Sequence, residues 1–274
     1  HYAPAFEAAM AEHIKEIEAI ANNADAPAFD NTMVAMERSG QTLGRVARVF
    51  FSMASANTND TIEAVRSEMA PKLSAHRDAI LLDPTLFERV KAVYETRDAI
   101  ELDPESYRLV EETYKDFVRA GALLSDEDKE KLKAYNAELA TLATQFSQNV
   151  LADEQDYLLV LETEAELAGL PEALRAAAAQ TANERGHKGK HAISLSRSSI
   201  EPFLQFSARR DLREQAFAAW RQRGANGGKT DNRKVIAEIL GLRGERSHLL
   251  GVKTPADAAL EFTMAKTPAN VRRL

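Results

Sequence analysis

Ser125-Asp126-Glu127-Asp128-Lys129-Glu130-Lys131-Leu132-Lys133-Ala134-Tyr135-Asn136 opens the stretch that decides the fold, which runs on to about Asp153. It starts as a capping box whose three carboxylates also sit on the positive end of the helix dipole. Beyond it Leu132, Tyr135, Leu139, Leu142, Phe146 and Val150 recur at intervals of three and four. That spacing draws one apolar stripe along a helix of about 40 Å, at a rise of about 1.5 Å per residue. Such a stripe has to be buried against other helices.

Outward from it, the helical punctuation is dense. Asp83-Pro84 and Asp103-Pro104 each set a carboxylate N-cap before a proline at the first helical position, and Thr254-Pro255-Ala256-Asp257 adds a capping box to that arrangement. Gly121, Gly186 and Gly251 stand where a left-handed residue closes a helix. Further helices are expected over 2–22, 31–56, 60–82, 84–97, 104–120, 171–185, 209–223, 232–250 and 255–264. Together they make roughly 70% helix, against an ordinary share near a third. Only Asp156–Leu161 and His191–Leu195 alternate like strands, and they are expected to pair as a small sheet. The fold class is all-α, successive helices joined by short loops and packed antiparallel, with a minor two-stranded β element. A composition shift near 154 suggests subdomains 1–153 and 154–274, without a linker that would make them independent.

The chain has 274 residues, 35 basic and 42 acidic, for a net charge of −7. With 45% apolar and 28% charged residues it is expected to bury a large core. The acidic balance argues against nucleic acid or an anionic membrane as partner, since both select basic faces. No apolar run approaches the ~20 residues of a spanning helix. The absence of cysteine removes thiolate nucleophiles and Cys-type metal sites. His1 replaces an initiator Met, and Thr267-Pro268 begins a helix that has room for only one turn before Leu274. A single turn does not hold by itself, so the chain reads as a piece of a longer one.

Of the histidines His1, His13, His76, His187, His191 and His248, only His187 and His191 have metal-ligand spacing. Gly186 and Gly189 break the helix such a pair needs, and Lys188 and Lys190 would repel a dication, so a basic turn is expected there. Gly227-Gly228-Lys229-Thr230 resembles the end of a phosphate loop, but Arg223 stands where the pattern needs glycine and a helix precedes it instead of a strand. Glu162, Glu164 and Glu166 read as a solvated face, and Arg209, Arg210 and Arg213 with Asp211 and Glu214 as helix-surface ion pairs. Trp220 is expected in the core on a stripe with Leu212, Ala216 and Phe217. Ser194, Ser196, Ser198 and Ser199 lie near His191 without a nucleophile elbow. No catalytic, cofactor-binding or metal-binding residue is assigned to this chain.

An ordered series of segments carries a resemblance. His1-Tyr2-Ala3-Pro4-Ala5-Phe6, Phe29-Asp30-Asn31-Thr32, Met36-Glu37-Arg38-Ser39-Gly40, Val49-Phe50-Phe51, Ser55-Ala56-Asn57-Thr58-Asn59-Asp60 and Ala70-Pro71-Lys72-Leu73 form its front. It continues through Tyr114–Ala122, Thr144–Leu151, Leu242-Arg243 with Leu249-Leu250-Gly251, and Met264–Pro268. The series is similar to the zinc metallopeptidases that include thimet oligopeptidase, neurolysin and oligopeptidase A, and the opening hexapeptide favours the peptidyl-dipeptidase branch. The resemblance implies a neurolysin-like helical molecule of two lobes around a channel, which releases C-terminal dipeptides from short peptides. It further implies a zinc ion on His-Glu-x-x-His and a later Glu, in the C-terminal part.

No His-Glu dipeptide occurs in this chain, so neither ligands nor base are carried over to any position. The expected role of 1–274 is therefore the N-terminal, channel-wall region, inactive alone and without zinc, whose partners are short peptides and its own catalytic lobe. The resemblance further implies a bacterial cytoplasmic protein, with the periplasm as alternative, monomeric at full length and prone to artificial dimers as this piece. The competing reading is a free-standing helical adaptor without catalysis.

Overall fold

The computed structural model describes residues 1–274, of which 71% are helical and 2% lie in strands. The all-α expectation with a small sheet holds. Helices α1 (Tyr2–Ala21), α2 (Ala35–Arg38), α3 (Gln41–Ala56), α4 (Asp60–Leu81), α5 (Pro84–Thr96), α6 (Pro104–Ala120) and α7 (Asp126–Asp156) fill the first half. Strand β1 (Leu159–Leu161), α8 (Glu172–Glu184), β2 (His191–Ile193), α9 (Arg197–Phe206), α10 (Arg210–Arg221), α11 (Arg233–Leu249), α12 (Pro255–Leu260) and α13 (Pro268–Val271) follow.

The caps explain most boundaries. The side chains of Asp83 and Asp103 accept from the N–H groups of Leu86 and of Glu105 and Ser106, and Thr254 from Asp257. Gly121, Gly186 and Gly251 are all left-handed, and each is followed by an N–H that reaches back five residues: Ala122 to Phe117, His187 to Ala182 and Val252 to Ser247. Those bonds satisfy carbonyls the helix end leaves open.

Two expectations are corrected. The helix expected over 31–56 is interrupted. Residues Phe29–Val34 form a π-helical turn, α2 is a single turn, and Gly40 adopts φ 66° before α3 begins. Buried Arg89 of α5 sets the first irregularity, donating to the carbonyls of Asn23 and Asp25 and to Asn31 Oδ1. Gly40 sets the second: its N–H donates to the Glu16 carboxylate at 2.7 Å, and a Cβ there would meet the His13 ring. Helix α9 lies outside the expected helices. It forms because Ile200 and Phe203 are buried on one face.

Contacts divide the chain into two compact units, His1–Thr144 with Ile239–Leu274, and Gln145–Glu238. The sequence reading had suggested a division at 153/154, whereas the contacts change at 144/145, inside α7, and the chain re-enters the first unit from Ile239. Within the first unit, Leu86, Val90 and Val93 of α5 pack with Val110 and Phe117 of α6 and Ile17 and Ile20 of α1. A second cluster joins Phe6 of α1, Phe50 of α3 and Met69 of α4. In the other unit, β1 and β2 pair antiparallel, Leu159 opposite Ile193 and Leu161 opposite His191, over a core with α8, α9 and α10.

The stripe on α7 is buried at Leu132 and Leu142, but Phe146 stands 37% exposed. On α10, Ala216 is buried and Leu212 and Trp220 pack on the core, whereas Phe217 is 47% exposed. Neither stripe is therefore covered along its full length.

Candidate functional site

A concavity of the first unit, with a volume of about 880 Å³, lies among α4, α6, α7, α11 and α12. Helices α4, α7 and α11 bring three polar residues together in its wall. Asn136 of α7 donates to Asp78 of α4 at 2.9 Å and accepts from Arg246 Nε of α11 at 2.8 Å. A neutral amide thus relays between a buried carboxylate and a half-buried guanidinium.

Burial pushes the Asp78 carboxyl up from its usual range, while the Asn136 amide and the charges of Arg246 and Arg77 pull against that rise. Burial also pulls the Arg246 guanidinium down, opposed by Asp78 and reinforced by Arg77. On the opposite wall Arg119 bridges Glu112, Asp116 and, at 3.4 Å, Glu261 of the segment after α12. The concavity contains neither a nucleophile paired with a base nor two carboxylates placed to divide acid and base roles. As it stands, its arrangement can bind and position a ligand.

A second polar cluster joins α1 and α4. His13 Nδ1 lies 3.0 Å from His76 Nε2, and His13 Nε2 lies 3.1 Å from Ser39 Oγ, which itself donates to the Met36 carbonyl. Because that hydroxyl hydrogen is spent, His13 Nε2–H donates to Ser39 and His76 Nε2–H donates to His13 Nδ1. Both rings are neutral in this chain of bonds. Burial lowers both pKa values from the ordinary histidine value; for His13 the nearby Glu16 opposes the shift, and for His76 the proximity of His13 adds to it.

The residues singled out from the sequence are dispersed. His187 is exposed in the turn after α8, while His191 sits in β2 opposite Leu161, and no set of three His, Cys, Asp or Glu side chains is arranged to hold a metal ion. In the glycine loop between α10 and α11, two carboxylates of the chain take the donors. Asp153 accepts from the Gly224 N–H at 2.6 Å, from Asn226 at 2.8 Å and from Thr230, and Asp231 accepts from the Gly227 N–H at 2.8 Å. The Arg233 guanidinium and these N–H bonds hold Asp231 far below the usual carboxylate range.

Glu166 accepts from the N–H groups of Glu162 and Thr163, while Glu162 and Glu164 pair with Lys190 and Arg175. Arg209 and Arg210 pair with Asp211 and Glu214 on the surface of α10, and Arg213 donates to the Ser207 carbonyl. The serines organise the start of α9, where Ser199 Oγ accepts from the Ser194 N–H. Sequence reasoning missed the Asp78, Asn136 and Arg246 relay and the His13 and His76 pair. Each joins residues more than 55 positions apart on different helices, and no local spacing announces them.

Comparison with known proteins gives the resemblance its extent. Residues 203–274 match the profile of Peptidase family M3. Over 268 residues, 98% of this chain, the sequence is 40% identical to a dipeptidyl carboxypeptidase of Escherichia coli K12, and it is 39% identical to that of Salmonella typhimurium over the same length. An oligopeptidase A of Haemophilus influenzae is 30% identical over 89% of the chain. The chain spans 39% of the length of the two carboxypeptidases and 36% of the oligopeptidase. The resemblance read from the ordered motifs therefore holds from one end of the chain to the other, and it is to a part of each relative.

Proposed function

We propose that this chain is the N-terminal, non-catalytic region of a zinc-dependent family M3 peptidase that releases dipeptides from the C-termini of short peptides. The observation that carries the reading is the 40% identity to a dipeptidyl carboxypeptidase across 98% of this chain and only 39% of that relative. The helical architecture supports a role as one wall of a peptide channel, facing a catalytic lobe supplied by the rest of the polypeptide.

Zinc chemistry would reside in that other lobe. The residues here do not suit the ion, since the nearest approach to a ligand set, His13 and His76, is engaged in hydrogen bonds with each other and with Ser39. No catalytic step is assigned to a side chain of this chain. A cytoplasmic setting accords with the bacterial peptidase relatives, and no helix is long and apolar enough to cross a membrane.

The test is reconstitution. The polypeptide encoded after Leu274 is co-expressed with this chain, and release of C-terminal dipeptides from an N-blocked tetrapeptide is followed with and without chelator. Chelator-sensitive release by the pair and none by the chain alone is expected. Hydrolysis by the chain alone would overturn the assignment. A reading frame that closes without His-Glu-x-x-His would instead favour the adaptor reading.

A further inference from the structure

We propose that the cavity among α4, α6, α7, α11 and α12 is a binding site for a small oxyanion, a carboxylate or phosphate on an apolar body, received by Arg246, Arg243 and Arg77. The inference does not depend on the peptidase reading. It begins with charge. Basic side chains outnumber carboxylates by two in the lining of this cavity, within a chain whose net charge is −7.

The excess resides in the three arginines, because the other basic groups are spent. Lys115 pairs with Glu112, and Arg119 is shared among Glu112, Asp116 and Glu261. Arg77 and Arg243 make no hydrogen bond or ion pair, and Arg246 uses only Nε, on the uncharged Asn136. That leaves both Nη groups of Arg246 without a protein partner.

The bond to Asn136 does more than satisfy Nε. Asn136 is itself fixed by Asp78, so the plane of the guanidinium is set before any ligand arrives, with the two Nη groups left as a fork. A fork of that kind matches the two oxygens of a carboxylate or phosphate. Holding it half-buried beside Arg77 is costly, because burial and Arg77 work to pull its charge off and the opposing charge, Asp78, is joined to it only through the neutral Asn136. An oxyanion between the arginines removes that cost. Asp78 is engaged by Asn136, and Asp116 and Glu261 by Arg119, so each carboxylate in the lining already has a partner of its own. Leu139, Val118 and Leu250 supply an apolar floor, and a volume of about 880 Å³ lies within the range of small-molecule sites.

The test is isothermal titration of the purified chain at low salt with N-acetylphenylalanine, phenyl phosphate and the neutral N-acetylphenylalaninamide. Saturable binding of one or both anions is expected, at least tenfold tighter than the amide, and the tighter anion identifies the headgroup. Arg246→Gln is expected to weaken binding at least tenfold. Arg243→Gln, at an exposed position with no internal bond, is expected to weaken it several-fold with an unchanged melting temperature, so the test survives if the first variant fails to fold. No saturable binding of either anion would overturn the proposal. So would equal binding of the amide, or anion affinities untouched by Arg243→Gln.

Discussion

Gly169 and Gly186 share a φ of 84°, yet they are not equally replaceable. A Cβ on Gly169 would lie 2.3 Å from the Phe206 carbonyl oxygen and 2.8 Å from the Ala208 nitrogen, whereas one on Gly186 meets nothing within 4 Å. Both alanine variants incur the left-handed penalty of about 1–2 kcal/mol. Only Gly169→Ala must also displace backbone, including the bond from the Ala208 N–H to the Ala168 carbonyl. Urea unfolding is expected to show a loss of about 1–2 kcal/mol for Gly186→Ala and more than about 3 kcal/mol for Gly169→Ala. Equal losses would mean that φ alone decides.

At the same scale, the His13 and His76 rings carry a pH dependence whose sign follows from their lowered pKa values. The unfolded chain binds protons near the ordinary histidine value of about 6.5, while the folded chain binds them only at lower pH. Between those limits the unfolded state holds more protons, so stability falls as pH falls, and the pair's contribution is complete above that window. Protonation of both rings would also set two N–H groups against each other across the 3.0 Å bond. The urea midpoint is expected to drop between pH 7.5 and pH 5.5, and by less in His76→Gln. Asp78, raised by burial, acts oppositely in the carboxylate range, favouring the folded state as pH falls. An undiminished drop in His76→Gln would remove the pair as its source.

Among elements, α7 shows what periodicity can and cannot convey. Leu132 and Phe146 belong to one stripe, but Leu132 is fully buried and Phe146 is not. Leu132→Ala is expected to cost about 2–5 kcal/mol and Phe146→Ala less than about 1.5 kcal/mol, read from urea midpoints. The start of that helix was legible because its signal is local: Ser125 Oγ accepts from the Asp128 N–H at 3.2 Å. The break at Ser39-Gly40 was not, because its cause is Glu16 and His13 on another helix. Helix α9 was hidden for a related reason, since burial of Ile200 and Phe203 outweighs serines and a proline that separately favour loop.

The loop before α11 belongs to the same scale. Asp153, near the end of α7, gathers three donors from it, and Asp153→Ala would leave the N–H of the buried Gly224 unpaired. Amide exchange at 224–231 is expected to accelerate at least tenfold in that variant while Leu161 in β1 keeps its protection. Uniform acceleration would show that Asp153 supports the whole unit instead of the loop.

For the molecule as a whole, the site was less legible than the fold. The fold is written in spacings of three and four, and the cavity in pairings such as Asn136 with Arg246, which exist only once separate helices have packed. What the folded chain leaves over is apolar surface. On α3, Phe50 is buried while Val49 and Met53, one turn apart on another face, are 54% and 46% exposed. A helix apolar on two faces can offer the second to a partner. In the proposed full-length protein that face is available to the remaining polypeptide. In this chain alone its simplest cover is a second copy. Sedimentation velocity is expected to show weak, concentration-dependent dimers in the range of tens of micromolar, consistent with a small interface, and Val49→Ser with Met53→Ser is expected to shift the chain to monomer without lowering its melting temperature. Dimers that persist in the double variant would assign self-association to another surface, and a strictly monomeric chain would show that α3 tolerates its outer face in water.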